Sequence, residues 1–196
     1  MNRDLTKGPV IRSMLLFAIP MILGDLLQQC YNIADTLIVG RFLGADALAA
    51  VGSSYTLMVF LTSIILGLCM GSGAAVSMDY GSGRTDEMRR SIFLSFILIA
   101  AISIFINGLV YVFIDPILTL LSVPADVVPL MKTYLLIIFS GILATFLYNY
   151  YASLLRAVGN SISPLVFLAI SSILNVALDL FFVIVLKLGV GGAAFA

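Results

Sequence analysis

Long uninterrupted runs of apolar residues constrain this sequence more than any other feature. Five runs lie at residues 14–39, 48–77, 91–114, 127–155 and 162–186, and a sixth begins near residue 191. A helix of about 20 apolar residues is long enough to cross the hydrocarbon core of a bilayer. Because the runs are continuous and do not alternate with polar residues, helices are favoured over barrel strands. The sequence therefore predicts an all-α, polytopic integral membrane protein with about six transmembrane helices.

The composition supports lipid as the solvent for much of the chain and excludes several kinds of site. Hydrophobic residues make up 62% of the 196 residues, and charged residues make up 10%. A soluble domain of this size would leave much of that apolar surface in water. The sequence has no histidine, and its only thiols are Cys30 and Cys69, both inside predicted spans. Ser-His-Asp triads, His-based zinc sites and a disulfide framework are therefore excluded.

The charge pattern excludes one partner and predicts an orientation. The formal net charge is zero, and no basic stretch is long enough to bind nucleic acid. Lys and Arg at the ends of the predicted spans are normally enriched on the cytoplasmic side. One side has Arg3, Lys7, Arg12, Arg84, Arg89, Arg90 and Arg156, and the other has Arg41, Lys132 and Lys187. We therefore expect a protein of the cell (inner) membrane with a cytoplasmic N-terminus.

Polar side chains form a stripe along the first predicted span. At about 100° per residue, five of them fall within about one third of the helix surface. They are Asp25, Gln28, Gln29, Asn32 and Asp35. An ionisable side chain at the centre of a span costs roughly 2.5–3.5 kcal/mol on insertion scales. The stripe is therefore expected to face protein or water and not lipid.

The fifth predicted span carries a second polar stripe, formed by Ser171, Ser172, Asn175 and Asp179. Asn175 and Asp179 are four residues apart and are therefore stacked neighbours on one helix face. In the predicted orientation the first and fifth spans both run outward. At about 1.5 Å per residue, this places Asp35 about 32 Å and Asp179 about 26 Å from the starts of their helices. Tyr134 enters at a similar depth, and its hydroxyl can hydrogen-bond a carboxylate.

Two interpretations of the polar stripes are open. In the first, Asp35 and Asp179 belong to a buried cation site, because a carboxylate removed from water takes up a proton more readily. Carboxylate, carboxamide and hydroxyl oxygens can equally hold sodium. In the second, the polar side chains bond one another and hold the helices together. Bonds to Gln or Asn side chains along the same helix can also explain Asp25.

Short motifs follow one another along essentially the whole chain. They are Tyr31-Asn-Ile-Ala-Asp-Thr, Val39-Gly-Arg, Leu43-Gly-Ala, Tyr80-Gly-Ser-Gly, Leu155-Arg-Ala-Val-Gly-Asn with Pro164, Asn175-x-x-x-Asp179 and Gly189-Val-Gly-Gly-Ala-Ala. This ordered set resembles the multidrug and toxic compound extrusion (MATE) family of transporters. The resemblance implies a fold of twelve helices in two lobes of six. This chain would be the N-terminal lobe, covering residues 1–196.

The resemblance also implies a function and a set of site residues. Members of the family export cationic or amphipathic compounds and import protons or sodium, so we expect a secondary antiporter and not an enzyme. The family's cation-coupling residues correspond to Asp35, Asn175 and Asp179, with Tyr134 close to them. Gln28 is similar to a family position that faces the substrate cavity.

The remaining expectations concern the weaker candidates and the partners. Asn32 and Asp25 are further candidates for the substrate cavity, and Asp25 lies outside the family pattern. The expected partners are membrane lipid, small organic cations or amphipathic drugs, and a second lobe. No cofactor is expected other than the coupling proton or sodium. We interpret the chain as a fragment because no charged or polar stop follows the apolar run at 191–196, and a half-size transporter that pairs with itself is the alternative.

Two other functions use similar features. A flippase for lipid-linked oligosaccharides has a related helix arrangement but needs cationic side chains to hold a pyrophosphate. Lys132 is the only such candidate, and it lies near a helix end where it can snorkel to the interface. An intramembrane aspartyl protease uses two carboxylates on two helices as acid and base. The Gly-x-Gly-Asp signature of those proteases is absent, since Asp179 follows Ala-Leu.

Overall fold

The computed structural model describes residues 10–196, so Arg3 and Lys7 lie outside the described residues. The helices of this part of the chain are α1 (Val10–Phe42), α2 (Ala45–Gly81), α3 (Thr85–Leu120), α4 (Val128–Ser140), α5 (Ile142–Ala157), α6 (Ile162–Leu180) and α7 (Val190–Phe195). A π-helical turn, Phe181–Val185, continues α6. The prediction of an all-α protein is confirmed.

Four helical segments are long and apolar enough to cross a membrane. They are Ile11–Phe42, Ala45–Gly81, Thr85–Leu120 and Ile162–Val185. α4 and α5 taken together are also long and apolar enough, and they are bent by 47° at the break between them. α7 has six residues and corresponds to the beginning of the sixth predicted span. These lengths and compositions are those of an integral membrane protein.

A break at Gly141 divides the fourth predicted span, 127–155, into two helices. The N–H of Gly141 donates to the carbonyl of Ile138, three residues earlier, at 3.0 Å. The hydroxyl of Ser140 donates to the carbonyl of Ile137 at 2.6 Å. These local bonds interrupt the regular ladder to the fourth preceding residue. Hydropathy alone does not predict such a break, because the residues on both sides of it are apolar enough to belong to one continuous span.

α3 extends past residue 114, where the third predicted span ends, and continues through Pro116 to Leu120. Phe113 has non-helical dihedral angles (φ −108°, ψ 16°) and marks a kink. Proline lacks an N–H, and its ring crowds the carbonyl of the fourth preceding residue. Pro116 therefore bends this helix near Phe113 but does not end it.

The helices enclose two apolar clusters. The first lies between α2, α3, α4 and α5 and includes Ile65, Cys69, Ile99, Ile106, Met131, Phe139, Phe146 and Tyr150. The second joins α1, α2, α4, the π-helical turn and α7 and consists of Ile38, Val39, Ala47, Val51, Tyr134, Val183, Val190 and Ala193. α1 packs mainly along α6, and α4 packs against α7. The second cluster therefore surrounds Tyr134 at the place where α1, α2, α4, the π-helical turn and α7 come together.

α2 and α5 approach each other closely at Gly73. A Cβ atom on Gly73 would overlap the hydroxyl oxygen of Ser153. That hydroxyl donates to the carbonyl of Cys69 at 2.7 Å. By contrast, no described atom outside the local helix lies within 4 Å of a Cβ built on Gly67 or Gly71. The absence of a side chain at Gly73 therefore allows this helix contact.

Candidate functional site

A cavity of about 510 Å³ opens between α1, α2, α4, α5, α6 and α7; we call it the main cavity. It is lined by the predicted site residues Gln28, Asn32, Asp35, Tyr134 and Asn175. Further polar groups on its wall come from Tyr31, Thr62, Ser140, Thr145 and Asn149, and apolar groups come from Met58, Leu66, Ile137, Ile138 and Phe139. The fold thus brings five of the seven predicted site residues to the wall of one cavity.

Asp179 is placed differently from the residues on the cavity wall. It is fully buried, with 0% of its surface exposed, and it does not line the main cavity. Its carboxylate lies close enough to Asp35 to interact with it electrostatically. Both carboxylates also act electrostatically on the hydroxyl group of Tyr134. Asp35 therefore lies at the cavity wall, and Asp179 lies behind the wall within the same electrostatic cluster.

The packing of α1 on α6 explains how residues far apart in sequence form this cluster. Asp35 lies near the end of α1, and Asn175 and Asp179 lie on the last turns of α6. α1 and α6 pack along each other. Because Asn175 and Asp179 are four residues apart, both point towards the same side of α6. The pairing of the two helices therefore brings Asp35 of the first stripe close to Asn175 and Asp179 of the second.

The oxygens of these side chains lack hydrogen-bond partners within residues 10–196. The unpartnered atoms are Asp35 Oδ1, Asn175 Oδ1 and both carboxylate oxygens of Asp179. The hydroxyl of Tyr134 makes no hydrogen bond to either carboxylate, so the hydrogen bond considered from the sequence is not formed. A buried polar group without a partner costs roughly 1–3 kcal/mol, and a charged one costs more. Mutual hydrogen bonding among these side chains therefore does not account for their burial.

The π-helical turn begins two residues after Asp179, directly at the end of α6. The turn is followed by Gly189, whose positive φ of 62° allows the chain to enter α7. A Cβ on Gly192 would lie 3.2 Å from the backbone carbon of Phe182. The small residues at the start of α7 thus let it pack tightly against the π-helical turn. The sequence contains the glycines but no recognisable signal for a π-helical turn.

The cluster offers only oxygen donors to a bound cation. Two carboxylates, a carboxamide and a phenol suit a proton or a hard cation such as sodium. Within the described part of the chain, no group of three or more His, Cys, Asp or Glu residues is placed to hold a metal ion. The residues therefore fit a site for a small monovalent cation better than a site for a transition metal.

Asp25 does not join this cluster. It lines a second cavity of about 270 Å³, between α1, α2, α5 and α6, which we call the inner cavity. Gln28 and Asn149 line both cavities. The side-chain amide of Asn32 donates to Gln29 Oε1 at 3.3 Å, so part of the first polar stripe does bond along its own helix. Asp25 is exposed and is not the acceptor of any such bond from the described residues.

α5 contributes cavity residues that the sequence analysis did not single out. Thr145 and Asn149 line the main cavity, and Asn149, Ser153 and Arg156 line the inner cavity. Their spacing of three or four residues places them on one face of a helix. The same helical-wheel argument that was applied to the first and fifth spans therefore predicts this face as well.

Comparisons with known proteins find similar sequences over most of the chain. A family model described as MatE matches residues 20–181. The chain is 36% identical over 193 residues to the probable multidrug resistance protein YpnP of Bacillus subtilis, covering 98% of the chain and 43% of that relative. It is 28% identical to the multidrug export protein MepA of Staphylococcus aureus, covering 96% of the chain and 42% of MepA.

Solved structures are similar in fold. A transporter of the MOP superfamily from Pyrococcus furiosus superimposes with a TM-score of 0.91 at 26% identity. The similarity covers 98% of this chain and 42% of that transporter. The chain therefore spans less than half the length of these relatives.

Proposed function

Because the chain belongs to the MatE family of transporters, we propose that it forms the N-terminal lobe of a secondary antiporter. The proposed antiporter exports cationic or amphipathic drugs and takes up protons or sodium in exchange. Membership of a transporter family also separates this protein from intramembrane proteases. The names of YpnP and MepA refer to multidrug resistance and export, which supports the drug cargo.

The single observation that carries the proposal is the set of unpartnered oxygens on Asp35, Asn175 and Asp179. Asp179 is excluded from solvent, and Asp35 lies on the wall of the main cavity. An unsatisfied carboxylate inside a membrane bundle is costly and is expected to have a functional reason. Binding of a proton or sodium removes this cost, since it neutralises the charge and coordinates the free oxygens.

The location of these residues suggests how cation binding is coupled to movement. A cation held between Asp35 on α1 and Asp179 on α6 favours the arrangement in which these helices are packed together. A ligand shifts a conformational equilibrium only by its difference in affinity for the two states. The coupling is reciprocal, so drug binding promotes cation release as cation binding promotes drug release. Alternating access then follows from rocking of one lobe against the other.

The main cavity supports an amphipathic, cationic cargo. Its volume of about 510 Å³ lies within the range of about 300–1,000 Å³ that is typical of small-molecule sites. Its wall combines apolar side chains such as Met58 and Phe139 with the carboxylate of Asp35. Lys132, the basic residue considered for a pyrophosphate, instead forms an ion pair with Asp115. The chemistry of the main cavity, whose charged side chain is Asp35, therefore favours drug export over the flipping of lipid-linked sugars.

The complete transporter requires a second lobe in this proposal. The chain spans 42–43% of the relatives that it matches, so a second lobe in the same polypeptide is the simplest partner. A dimer of half-size chains is the alternative. The protein would lie in the cell membrane with its N-terminus in the cytoplasm, as the distribution of Lys and Arg indicates.

Transport in vesicles tests the proposal directly. Full-length protein is reconstituted into proteoliposomes, and efflux of a cationic rhodamine dye is followed after a proton or sodium gradient is imposed. We expect efflux that depends on one of these gradients and that a saturating second cationic dye inhibits. An efflux rate that depends on neither the proton gradient nor the sodium gradient would overturn the antiport mechanism.

A further inference from the structure

The inner cavity contains charged groups of both signs. Asp25 reaches it from α1, and Arg156 reaches it from the last turn of α5. Pro20, Met21, Met70 and Leu165 form part of its apolar wall. The cation cluster around Asp179 does not include either charged residue. The inner cavity is therefore chemically distinct from the site proposed for the coupling ion.

Asp25 and Arg156 are not neutralised by ion pairs within residues 10–196. Other charged residues of the described chain do pair, since Arg84 contacts Asp79 and Glu87, each at 2.9 Å. Asp25 and Arg156 line the same cavity, yet no ion pair joins them to each other or to another described residue. Among the described residues, neither charge therefore has a partner of opposite sign.

The inner cavity adjoins the main cavity. Gln28, Leu66 and Asn149 line both. These three residues therefore form a boundary between the inner cavity and the proposed cargo site. The charged side chain on the wall of the main cavity is Asp35. The wall of the inner cavity carries the cationic side chain of Arg156 as well as the carboxylate of Asp25.

We propose that the inner cavity is a subsite for zwitterionic solutes, with Asp25 binding the cationic group and Arg156 binding the anionic group. The guanidinium group is suited to a carboxylate or phosphate because it donates two parallel hydrogen bonds. The subsite extends the cargo of the proposed exporter from simple cations to compounds that also carry a negative charge. This inference rests on the proposed function and names the class of substrate that binds in the inner cavity.

A matched pair of dyes tests the assignment. One is a rhodamine with a free carboxylate beside its cationic ring system, and the other is the methyl ester of the same dye. Binding of each to purified full-length protein is measured by fluorescence anisotropy. The variants are Arg156→Gln, Arg156→Lys and Asp25→Asn. Arg90→Gln is the control, because Arg90 is exposed and lines neither cavity.

The two dyes respond differently if the proposal is correct. We expect Arg156→Gln to raise the Kd of the free acid about tenfold, since one charge-assisted interaction is lost, and to leave the Kd of the ester within about twofold. Arg156→Lys is expected to retain part of the preference for the free acid. Asp25→Asn is expected to raise the Kd of both dyes. Arg90→Gln is expected to change neither Kd.

Three results would overturn the subsite. They are equal effects of Arg156→Gln on both dyes, no effect on either dye, and unaltered binding of both dyes to Asp25→Asn. If Arg156→Gln does not fold, Arg156→Lys with an unchanged ratio of the two Kd values contradicts the proposal. These outcomes are independent of the transport assay, because loss of gradient-driven efflux with normal dye selectivity contradicts the antiport mechanism and leaves the subsite intact.

Discussion

Asp35 on α1 and Asp179 on α6 interact electrostatically inside the bundle, and oxygens of both lack a hydrogen-bond partner among residues 10–196. Helices that contribute one carboxylate each to a shared buried cluster repel one another when both are charged. A cation placed at the cluster reverses this repulsion. The pair is therefore suited to couple cation occupancy to the packing of α1 on α6.

We expect Asp179→Asn and Asp35→Asn to abolish the response of drug efflux to the proton or sodium gradient. Asn retains the size of Asp but removes the charge that binds the cation. The initial rate of gradient-driven efflux in proteoliposomes should fall at least about tenfold, as expected when more than about 1.4 kcal/mol of coupling free energy is lost.

Asp126→Asn is the matched control for these variants, because Asp126 is exposed in the connection between α3 and α4. Its efflux should equal that of the wild type. Normal gradient dependence in both Asp35→Asn and Asp179→Asn would remove these residues from the coupling site.

Cation binding is also expected to stabilise the folded protein. A ligand that binds only the folded state at 100 times its Kd adds about 2.7 kcal/mol. The Tm of the wild type in detergent should therefore rise with sodium, at constant ionic strength, or with acidification. The same additions should leave the Tm of Asp179→Asn nearly constant, and an equal rise in the variant would place the cation elsewhere.

Substitution of Gly73 by Ala is expected to destabilise the contact between α2 and α5. The new methyl group would overlap the hydroxyl of Ser153, and overpacking of this kind costs about 1–3 kcal/mol. Thermal denaturation in detergent measures the loss. Gly67→Ala is the control, since a Cβ there meets no described atom within 4 Å.

A double variant separates the clash from other effects of Gly73→Ala. Adding Ser153→Ala removes the hydroxyl that the new methyl group would meet. The double variant should be more stable than the sum of the two single losses predicts. Strict additivity would show that the Ser153 hydroxyl is not the cause.

The predicted orientation is tested by cysteine labelling in intact cells. Asp86 and Asp126 are both exposed, and they lie on opposite sides of the α3 span. In a background with Cys30→Ala and Cys69→Ala, an impermeant maleimide should label Asp126→Cys directly. Asp86→Cys should react only after the cells are permeabilised. The reverse pattern would place the N-terminus outside the cytoplasm.

Sequence reasoning predicted the helical class because apolar runs of membrane length admit few other structures. It also selected Asp35, Asn175 and Asp179, since a charged or amide side chain in such a run is conspicuous. The break at Gly141 and the continuation of α3 through Pro116 did not follow from the sequence. Both depend on a few local hydrogen bonds, to which hydropathy is insensitive.

The sequence by itself determined which side chains must avoid lipid, because the cost of exposing them is a property of each residue and its helix face. Only the tertiary structure decided their separate positions. The packing of α1 on α6 joined Asp35 to Asn175 and Asp179, whereas Asp25, on the same helix as Asp35, entered another cavity with Arg156. The physical reason is that a helical wheel fixes direction around one axis, while distances between helices depend on how their side chains pack.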